Sequence, residues 1–234
     1  MLKGSSVVVL GGSSGIGAAV ARRAVQQGAN VTIVGRDLTK TRRIASSMSR
    51  ETVSLAVEMT SEPAIIELFK SIGQFDHLVV TAAAVQLVPF KLGASEQARA
   101  VFEGKFWPQY LAVKHADVRA SVSLFSGLWS HKAEVGGCAL AAVNGAIEAL
   151  GRALAIELAP TRVNVISPGL VGGTASFNGM PEQHREKLFM DTAKRLPARV
   201  IGSPEDIASA TLCAMDNAYM TGSTIELNGG ALLV

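Results

Sequence analysis

The sequence predicts an α/β fold, a doubly wound, seven-stranded parallel sheet in three α/β/α layers. Short apolar runs alternate with helix-like segments from one end of the 234-residue chain to the other, and this order builds a parallel sheet with helices on both faces. The composition, 48% hydrophobic and 18% charged, suits one α/β domain with a sizeable core. No linker, repeat or low-complexity tract divides the chain, so we predict a single domain over 1–234.

Seven short segments have the apolar character of strands. The first, "SSVVVL", is a continuous apolar run, as expected of a strand that is buried on both faces. The last, "GSTIEL", follows two helical segments. The predicted strands are 5–10, 30–35, 52–57, 76–81, 121–125, 162–167 and 222–227.

The segments between these strands carry helix signals. Gly28 is a C-cap for the first helix, and Pro63 lies near the first turn of the third. Pro108 is expected to kink or split the fourth helix, because proline lacks the amide that a helix interior needs. The predicted helices are 15–28, 38–50, 62–73, about 95–118, 138–160, about 181–196 and about 203–215.

Composition excludes several classes of function. The net charge of +3 is mild and the basic residues are scattered, so no nucleic-acid partner is expected. No run approaches the roughly 18 apolar residues of a membrane span, and the first apolar run is too short for a signal peptide. Cys138 and Cys213 have no metal-ligand spacing and are predicted to be reduced, buried thiols. We expect a soluble, cytoplasmic protein with no metal site.

A glycine cluster joins the first strand to the first helix. In "VLGGSSGIG", Gly11, Gly15 and Gly17 allow a tight turn and let the backbone approach a pyrophosphate. A helix N-terminus attracts that group through its free amides and its dipole. Ser13 and Ser14 add hydroxyl donors. The turn predicts a dinucleotide site.

The tip of the second strand predicts which dinucleotide is bound. A carboxylate at this point holds the ribose hydroxyls of NAD, whereas an arginine favours the 2′-phosphate of NADP. Gly35 occupies the tip and Arg36 follows it, and a guanidinium offers a charge-assisted fork to phosphate. We therefore favour NADP(H) over NAD(H). The alternative is that Arg36 is a surface residue with a salt-bridge partner.

Five segments in order carry a family resemblance: "LGGSSGIG" (10–17), "FDHLVVTAAA" (75–84), "NGAIEALGRALAIELAPTRVNVISPG" (144–169), "GSPEDIA" (202–208) and "YMTGSTIELNGG" (219–230). Through them the chain resembles the short-chain dehydrogenase/reductase family over its whole length. The resemblance implies a Rossmann fold, with a substrate lid inserted at about 170–200. It also implies a homodimer or homotetramer formed through the fourth and fifth helices.

The same resemblance implies where the cofactor lies. The pyrophosphate falls on the glycine turn with Ile16, the adenine between residues after the third strand, and the nicotinamide beside residues after the fourth and sixth strands. Thr81 replaces the asparagine of the family's Asn-Ala-Gly stretch. The implied cofactor residues are Gly11, Ser13, Ser14, Gly15, Ile16, Gly17, Arg36, Glu58, Met59, Thr81, Ala82, Ala83, Lys105, Pro168, Gly169 and Val171.

The family's catalytic positions are all changed in this chain. Family members use a tyrosine as the proton donor, a lysine that lowers its pKa, a serine that positions the carbonyl and an asparagine that supports the lysine through water. By resemblance these positions fall on Leu140, Asn144, Gly127 and Lys105. Leu140 cannot donate a proton, and it continues an apolar stripe typical of a core helix.

Two hypotheses follow from the changed residues. In the first, Lys105 and Asn144 have exchanged places and keep an ammonium near the nicotinamide ribose; the alternative is that Lys105 reaches the surface. In the second, His131 replaces the tyrosine as acid, since histidine titrates near neutral pH, and Ser126 orients the carbonyl. Such a site would make the protein an NADP(H)-dependent oxidoreductase of a carbonyl or alcohol. The alternative is a catalytically silent NADP(H)-binding protein that acts through partners or as a structural subunit.

Overall fold

The computed structural model describes residues 2–81, 87–174 and 177–234, and it contains one seven-stranded parallel sheet. The strands lie in the order β3-β2-β1-β4-β5-β6-β7. Their bounds are β1 Ser6–Leu10, β2 Asn30–Gly35, β3 Val53–Ala56, β4 Phe75–Val80, β5 Val118–Phe125, β6 Arg162–Pro168 and β7 Thr224–Leu227. The order reverses direction between β1 and β4, which is where open α/β sheets form a ligand crevice. The predicted fold class is confirmed.

Seven α-helices cover the two faces of the sheet in the described residues. They are α1 Gly15–Gln26, α2 Leu38–Ser46, α3 Glu62–Ile72, α4 Ser95–His115, α5 Cys138–Glu157, α6 Glu182–Arg195 and α7 Pro204–Asp216. Two buried clusters form the core. One joins α3, α4 and α5 to one face of the sheet, and the other joins α1, α2 and α7 to the opposite face. Side chains along β1 alternate between the clusters: Val7 and Val9 enter one, and Val8 and Leu10 enter the other, as the strand period of two requires.

The fourth helix remains one helix despite Pro108, so of the two expected outcomes, a kink or a split, the split is wrong. Proline removes the hydrogen bond to the carbonyl four residues earlier, here that of Gly104. The side chain of Gln109 anchors this stretch instead. Its Nε2 donates to the Phe125 carbonyl at 3.0 Å, and its Oε1 accepts from the Phe125 amide at 2.7 Å. These buried bonds tie α4 to the end of β5.

Two further sequence expectations need correction. Cys138 and Cys213 are exposed rather than buried, because each lies on the outward side of its helix. By length and composition α5 could cross a membrane, with a mean hydropathy of 1.4 over its most apolar window. In the fold it packs against α4 and β6, and its buried residues Ala139, Leu140, Val143 and Ile147 belong to the core.

Candidate active site

A cleft of about 420 Å³ opens at the carboxyl ends of the strands. Residues at or just beyond the ends of six successive strands line it: Gly11, Gly35, Glu58, Thr81, Ser126 and Pro168. Carboxyl ends of parallel strands meet at one edge of a sheet, so this placement follows from the topology. The cleft crosses the switch point between β1 and β4.

The glycine turn forms one end of the cleft. Gly11 and Gly15 have φ angles of 85° and 50°, which glycine adopts without strain. A Cβ on Gly17 would lie 2.4 Å from the Gly11 carbonyl oxygen and 2.5 Å from Thr81 Oγ1. The cap residue of α1, Ser14, makes no side-chain hydrogen bond to the first turn, which carries no acidic residue. The helix N-terminus therefore presents its amides to the cleft, an arrangement that fits a pyrophosphate.

At the β2 end, the cleft is lined by one cation and one carboxylate. Arg36 lines the cleft, while Asp37 caps α2 by accepting the Lys40 amide at 3.0 Å. Glu58 accepts a hydrogen bond from Thr60 Oγ1 at 2.9 Å. That bond lowers the pKa of Glu58, and the charge of Arg36 lowers it further. Met59 is buried beside it. These residues could flank an adenosine that carries a phosphate.

Lys105 lies at the buried floor of the cleft. Its side chain crosses from α4 and donates from Nζ to the Ser126 carbonyl at 2.8 Å and to Asn144 Oδ1 at 2.6 Å. Asn144 completes the link by donating to the Gly127 carbonyl at 3.1 Å. Burial lowers the pKa of Lys105 to about 8, and the charge of Glu148 acts in the opposite direction. The lysine and the asparagine are thus in direct contact, and Lys105 does not reach the surface.

The structure brings most of the predicted site residues to the cleft. Lys105, Ser126 and all the described residues of the implied cofactor set line it, and Asn144 lies directly behind Lys105. Ala82 and Ala83 fall outside the described residues. Thr81 lines the cleft, and its Oγ1 donates to the Leu10 carbonyl at 3.0 Å.

Other predicted residues lie away from the cleft. Leu140 is buried in the core cluster of α3, α4 and α5. His131 does not line the cleft; its Nε2 lies 3.4 Å from Glu148 Oε2 and 3.5 Å from Glu226 Oε1. Neither tyrosine of the chain lines it either. In the described part of the chain, no group of three or more His, Cys, Asp or Glu side chains could hold a metal ion.

Sequence reasoning missed one buried carboxylate next to the cleft. Glu148 is 5% exposed, and its Oε1 accepts from Ser126 Oγ at 3.0 Å and from Ser130 Oγ at 2.6 Å. It lies one helical turn beyond Asn144 on α5. The sequence feature that could have predicted it is its spacing: residues four apart share a helix face, and Glu148 is the acidic residue on the face of α5 that also carries Leu140 and Asn144.

Comparisons with known proteins agree on one family. A family model described as enoyl-(acyl carrier protein) reductase matches residues 11–231. Short-chain dehydrogenase/reductase ATR9 of Stachybotrys chlorohalonatus is 30% identical, over 99% of this chain and 98% of its own length.

Two solved structures are similar over almost the whole chain. A small-chain dehydrogenase in complex with NADPH has 35% identity and a TM-score of 0.83, covering 99% of this chain and 100% of that one. The MalC reductase/Diels-Alderase from Malbranchea aurantiaca has 28% identity and a TM-score of 0.91, covering 100% of this chain and 98% of its own. With the family model, the relative and the cleft in agreement, the chain belongs to the short-chain dehydrogenase/reductase family of oxidoreductases, whose members bind a nicotinamide dinucleotide.

Proposed function

We propose that this protein is an NADP(H)-dependent oxidoreductase that interconverts a carbonyl and an alcohol through a rearranged catalytic site. Lys105, Gly127, Leu140 and Asn144 occupy the family's asparagine, serine, tyrosine and lysine positions. The observation that carries the proposal is the ammonium of Lys105, buried at the floor of a cleft that fits the dinucleotide. A buried charge of this kind is costly unless it has partners and a use.

The contacts of Lys105 leave it able to bind a ligand. An ammonium has three N–H donors, and among the described residues two of them have protein acceptors, the Ser126 carbonyl and Asn144 Oδ1. The third is available to a group in the cleft. When bound, the nicotinamide supplies hydride chemistry. Lys105 would hold the adjoining ribose and place positive charge near the carbonyl oxygen, where negative charge develops.

The absence of a phenol at Leu140 sets the expected rate. A positioned proton donor contributes typically about 10²–10⁴-fold to a rate. Ser126 lines the cleft and carries a hydroxyl, so it is the residue that we assign to orient the carbonyl. We expect slow turnover compared with a family member that carries the tyrosine.

The preference for NADP(H) rests on Arg36. This residue lines the cleft beside Gly35, which has no side chain to hold the ribose hydroxyls. The similar dehydrogenase solved with NADPH supports the same choice.

A second candidate function is a catalytically silent, NADP(H)-binding protein that acts through partners or as a structural subunit. Leu140 favours it, because an aliphatic side chain in the core cannot donate a proton. One similar structure is described as both a reductase and a Diels-Alderase, and a fold of this kind hosts more than one chemistry.

Thermal unfolding and turnover together separate the two candidates. We expect NADPH and NADP to raise Tm more than NADH and NAD do, since a ligand that binds only the folded state stabilises it. Oxidation of NADPH in the presence of para-nitrobenzaldehyde or diacetyl supports the oxidoreductase. Stabilisation by NADPH without oxidation against a broad panel of carbonyl compounds supports the silent protein. If no nucleotide raises Tm, both candidates are wrong.

A further inference from the structure

We propose that His131, Glu148 and Ser126 form a proton relay that leads from the protein surface into the cleft. The proposal rests on the oxidoreductase function above and deepens it, because it names the source of the proton that carbonyl reduction consumes. It also gives His131 a role that agrees with its position outside the cleft.

The inner half of the relay is a buried hydrogen bond. Ser126 and Glu148 are each 5% exposed, and Ser126 Oγ donates to Glu148 Oε1 at 3.0 Å. Ser126 lines the cleft, whereas Glu148 does not. The serine therefore links the carboxylate to the cleft, and a proton that leaves Glu148 along this bond arrives at the cleft wall.

The outer half joins Glu148 to solvent. His131 Nε2 lies 3.4 Å from Glu148 Oε2, the carboxylate oxygen that Ser126 does not use, at the distance of an ion pair and without the geometry of a hydrogen bond. A proton therefore passes to Glu148 when the ring turns its N–H toward that oxygen. The His131 side chain is 46% exposed, so water reaches the ring. Its Nε2 also lies 3.5 Å from Glu226 Oε1 on β7, a carboxylate that is 36% exposed. The histidine is thus held between one exposed and one buried carboxylate.

Charged side chains from three elements surround Glu148. From α4 the ammonium of Lys105 acts on it by charge, and from the loop after β5 His131 faces it. On β7, Glu226 lies beyond the histidine. Ser130 Oγ donates to Glu148 Oε1 at 2.6 Å and keeps the carboxylate in place. Transfer of a proton from a charged His131 ring to the Glu148 carboxylate leaves the net charge of this group of residues unchanged.

The proton balance of a reduction can be written along this path. The hydride would come from NADPH, which would lose a C–H bond of its nicotinamide and be oxidised to NADP; the new C–H bond on the substrate carbon leaves negative charge on the substrate oxygen. The Ser126 hydroxyl rotates toward that oxygen and gives it a proton, forming the O–H bond of the alcohol. Before this step, the protonated His131 ring gives its Nε2 proton to Glu148 Oε2, and the carboxyl group turns to present that proton to Ser126. Ser126 Oγ takes the proton from Glu148 as it gives its own to the substrate, and His131 regains one from solvent. One proton leaves solvent for each alcohol formed, and no electrons pass through the relay.

The first test removes the outer end of the relay. We expect His131→Ala to lower the rate of NADPH oxidation with para-nitrobenzaldehyde at least about tenfold, with NADPH affinity unchanged and added imidazole restoring the rate. The matched control is His115→Ala, which removes another histidine–glutamate contact. In that contact, Nε2 of His115 at the end of α4 lies 2.7 Å from Glu62 Oε1. It should leave the rate unchanged and show no response to imidazole.

The second test addresses the middle of the relay and includes a measurement that does not need turnover. Glu148→Gln keeps the shape of the side chain but cannot pass on a carboxyl proton, so imidazole should not rescue it, alone or with His131→Ala. By NMR, the ring resonances of His131 should move in Glu148→Gln while those of His115 do not, because Glu148 contacts only the first of these two rings among the described residues. If the wild type oxidises NADPH and neither variant changes that rate, the relay is wrong while the proposed oxidoreductase function is kept. NADPH binding without turnover overturns both.

Discussion

The backbone at Gly35 passes too close to its neighbours to carry a side chain. A Cβ there would lie 2.4 Å from Thr41 Oγ1 and 2.9 Å from Ser13 Oγ. Thr41 Oγ1 in turn donates to the Asp37 carbonyl at 2.6 Å, so the neighbour is held in place. A carboxylate at the strand tip, which would favour NAD, would therefore require the side chains of Thr41 and Ser13 to move. The next residue, Arg36, lines the cleft instead.

Arg36→Ala should weaken NADPH binding at least about tenfold, or about 1.4 kcal/mol, and leave NADH binding unchanged. The physical reason is that a guanidinium makes charge-assisted hydrogen bonds to a phosphate that NADH lacks. Fluorescence titration of both nucleotides measures the effect. Arg42→Ala is the matched control, because Arg42 is an exposed arginine of α2 that does not line the cleft. An equal loss for both nucleotides would remove Arg36 as the selecting residue.

The charge of Lys105 should make NADPH binding depend on pH. Burial lowers its pKa to about 8, so the ammonium is present below that pH and is lost above it. The 2′-phosphate, with a second pKa of about 6 for a phosphate monoester, is already ionised there and does not contribute. Affinity for NADPH should therefore fall as pH rises through about 8, as measured by fluorescence titration.

Lys105→Met provides the control for this pH dependence. Methionine fills a similar space but carries no charge, so the variant should bind NADPH more weakly at neutral pH and show no further loss above it. The role assigned to Lys105 would be contradicted if wild type and variant lose affinity in parallel.

At the level of elements, α4 and α5 hold the site together through one polar contact. Both helices pack on the same face of the sheet, and the Lys105–Asn144 hydrogen bond of 2.6 Å joins them beneath the cleft. The resemblance to the family puts these two residue types at the opposite positions. The contacting ammonium and amide fill nearly the same total volume whether the lysine comes from α4 and the asparagine from α5, or the reverse.

A double-mutant cycle tests whether the two positions are interchangeable. Lys105→Asn should remove the ammonium and weaken NADPH binding, and Asn144→Lys should lower Tm because it buries a second ammonium beside the first. The double variant should recover both properties, with a coupling of about 0.5–3 kcal/mol. Calorimetry and NADPH titration measure the two effects. If the losses in NADPH affinity and Tm of the two single variants simply add in the double variant, the two positions are not interchangeable.

Local patterns were enough to predict the elements, but contacts between elements were not predictable from them. The alternation of apolar runs and the glycine turn are properties of adjacent residues, so the sheet and the phosphate-binding turn could be predicted. Glu148 was missed because a glutamate on a helix normally faces solvent. The burial of its carboxylate depends on the loop of Ser130 and His131, whose path no local pattern specifies.

The same limit explains the errors at Pro108 and the cysteines. Proline predicts a broken helix from its own chemistry, but the bonds of Gln109 to β5 come from a distant part of the chain. Cys138 and Cys213 are exposed because the sheet covers the other face of each helix, and the sequence does not specify which face that is. Packing, rather than residue type, decided these cases.

For the whole molecule, the α4–α5 side carries aromatic and apolar surface that one chain leaves exposed. Trp107 and Tyr110 on α4 are 40% and 36% exposed and pack edge to face at 5.5 Å, and Ile156 on α5 is 81% exposed. We propose that a second copy of this chain covers this side, giving a homodimer. A self-complementary patch on two adjacent helices suits a two-fold interface.

Trp107→Glu should convert the dimer to a monomer in analytical ultracentrifugation and lower Tm. A charge placed in the apolar centre of an interface is desolvated without a partner. In the free monomer position 107 is 40% exposed, so the charge can reach water. Val53→Glu is the matched control, since Val53 is 49% exposed on β3 at the opposite edge of the sheet. It should sediment like wild type. If the wild-type protein is monomeric at all concentrations, there is no such interface. If the Trp107→Glu variant is still a dimer, the interface lies elsewhere.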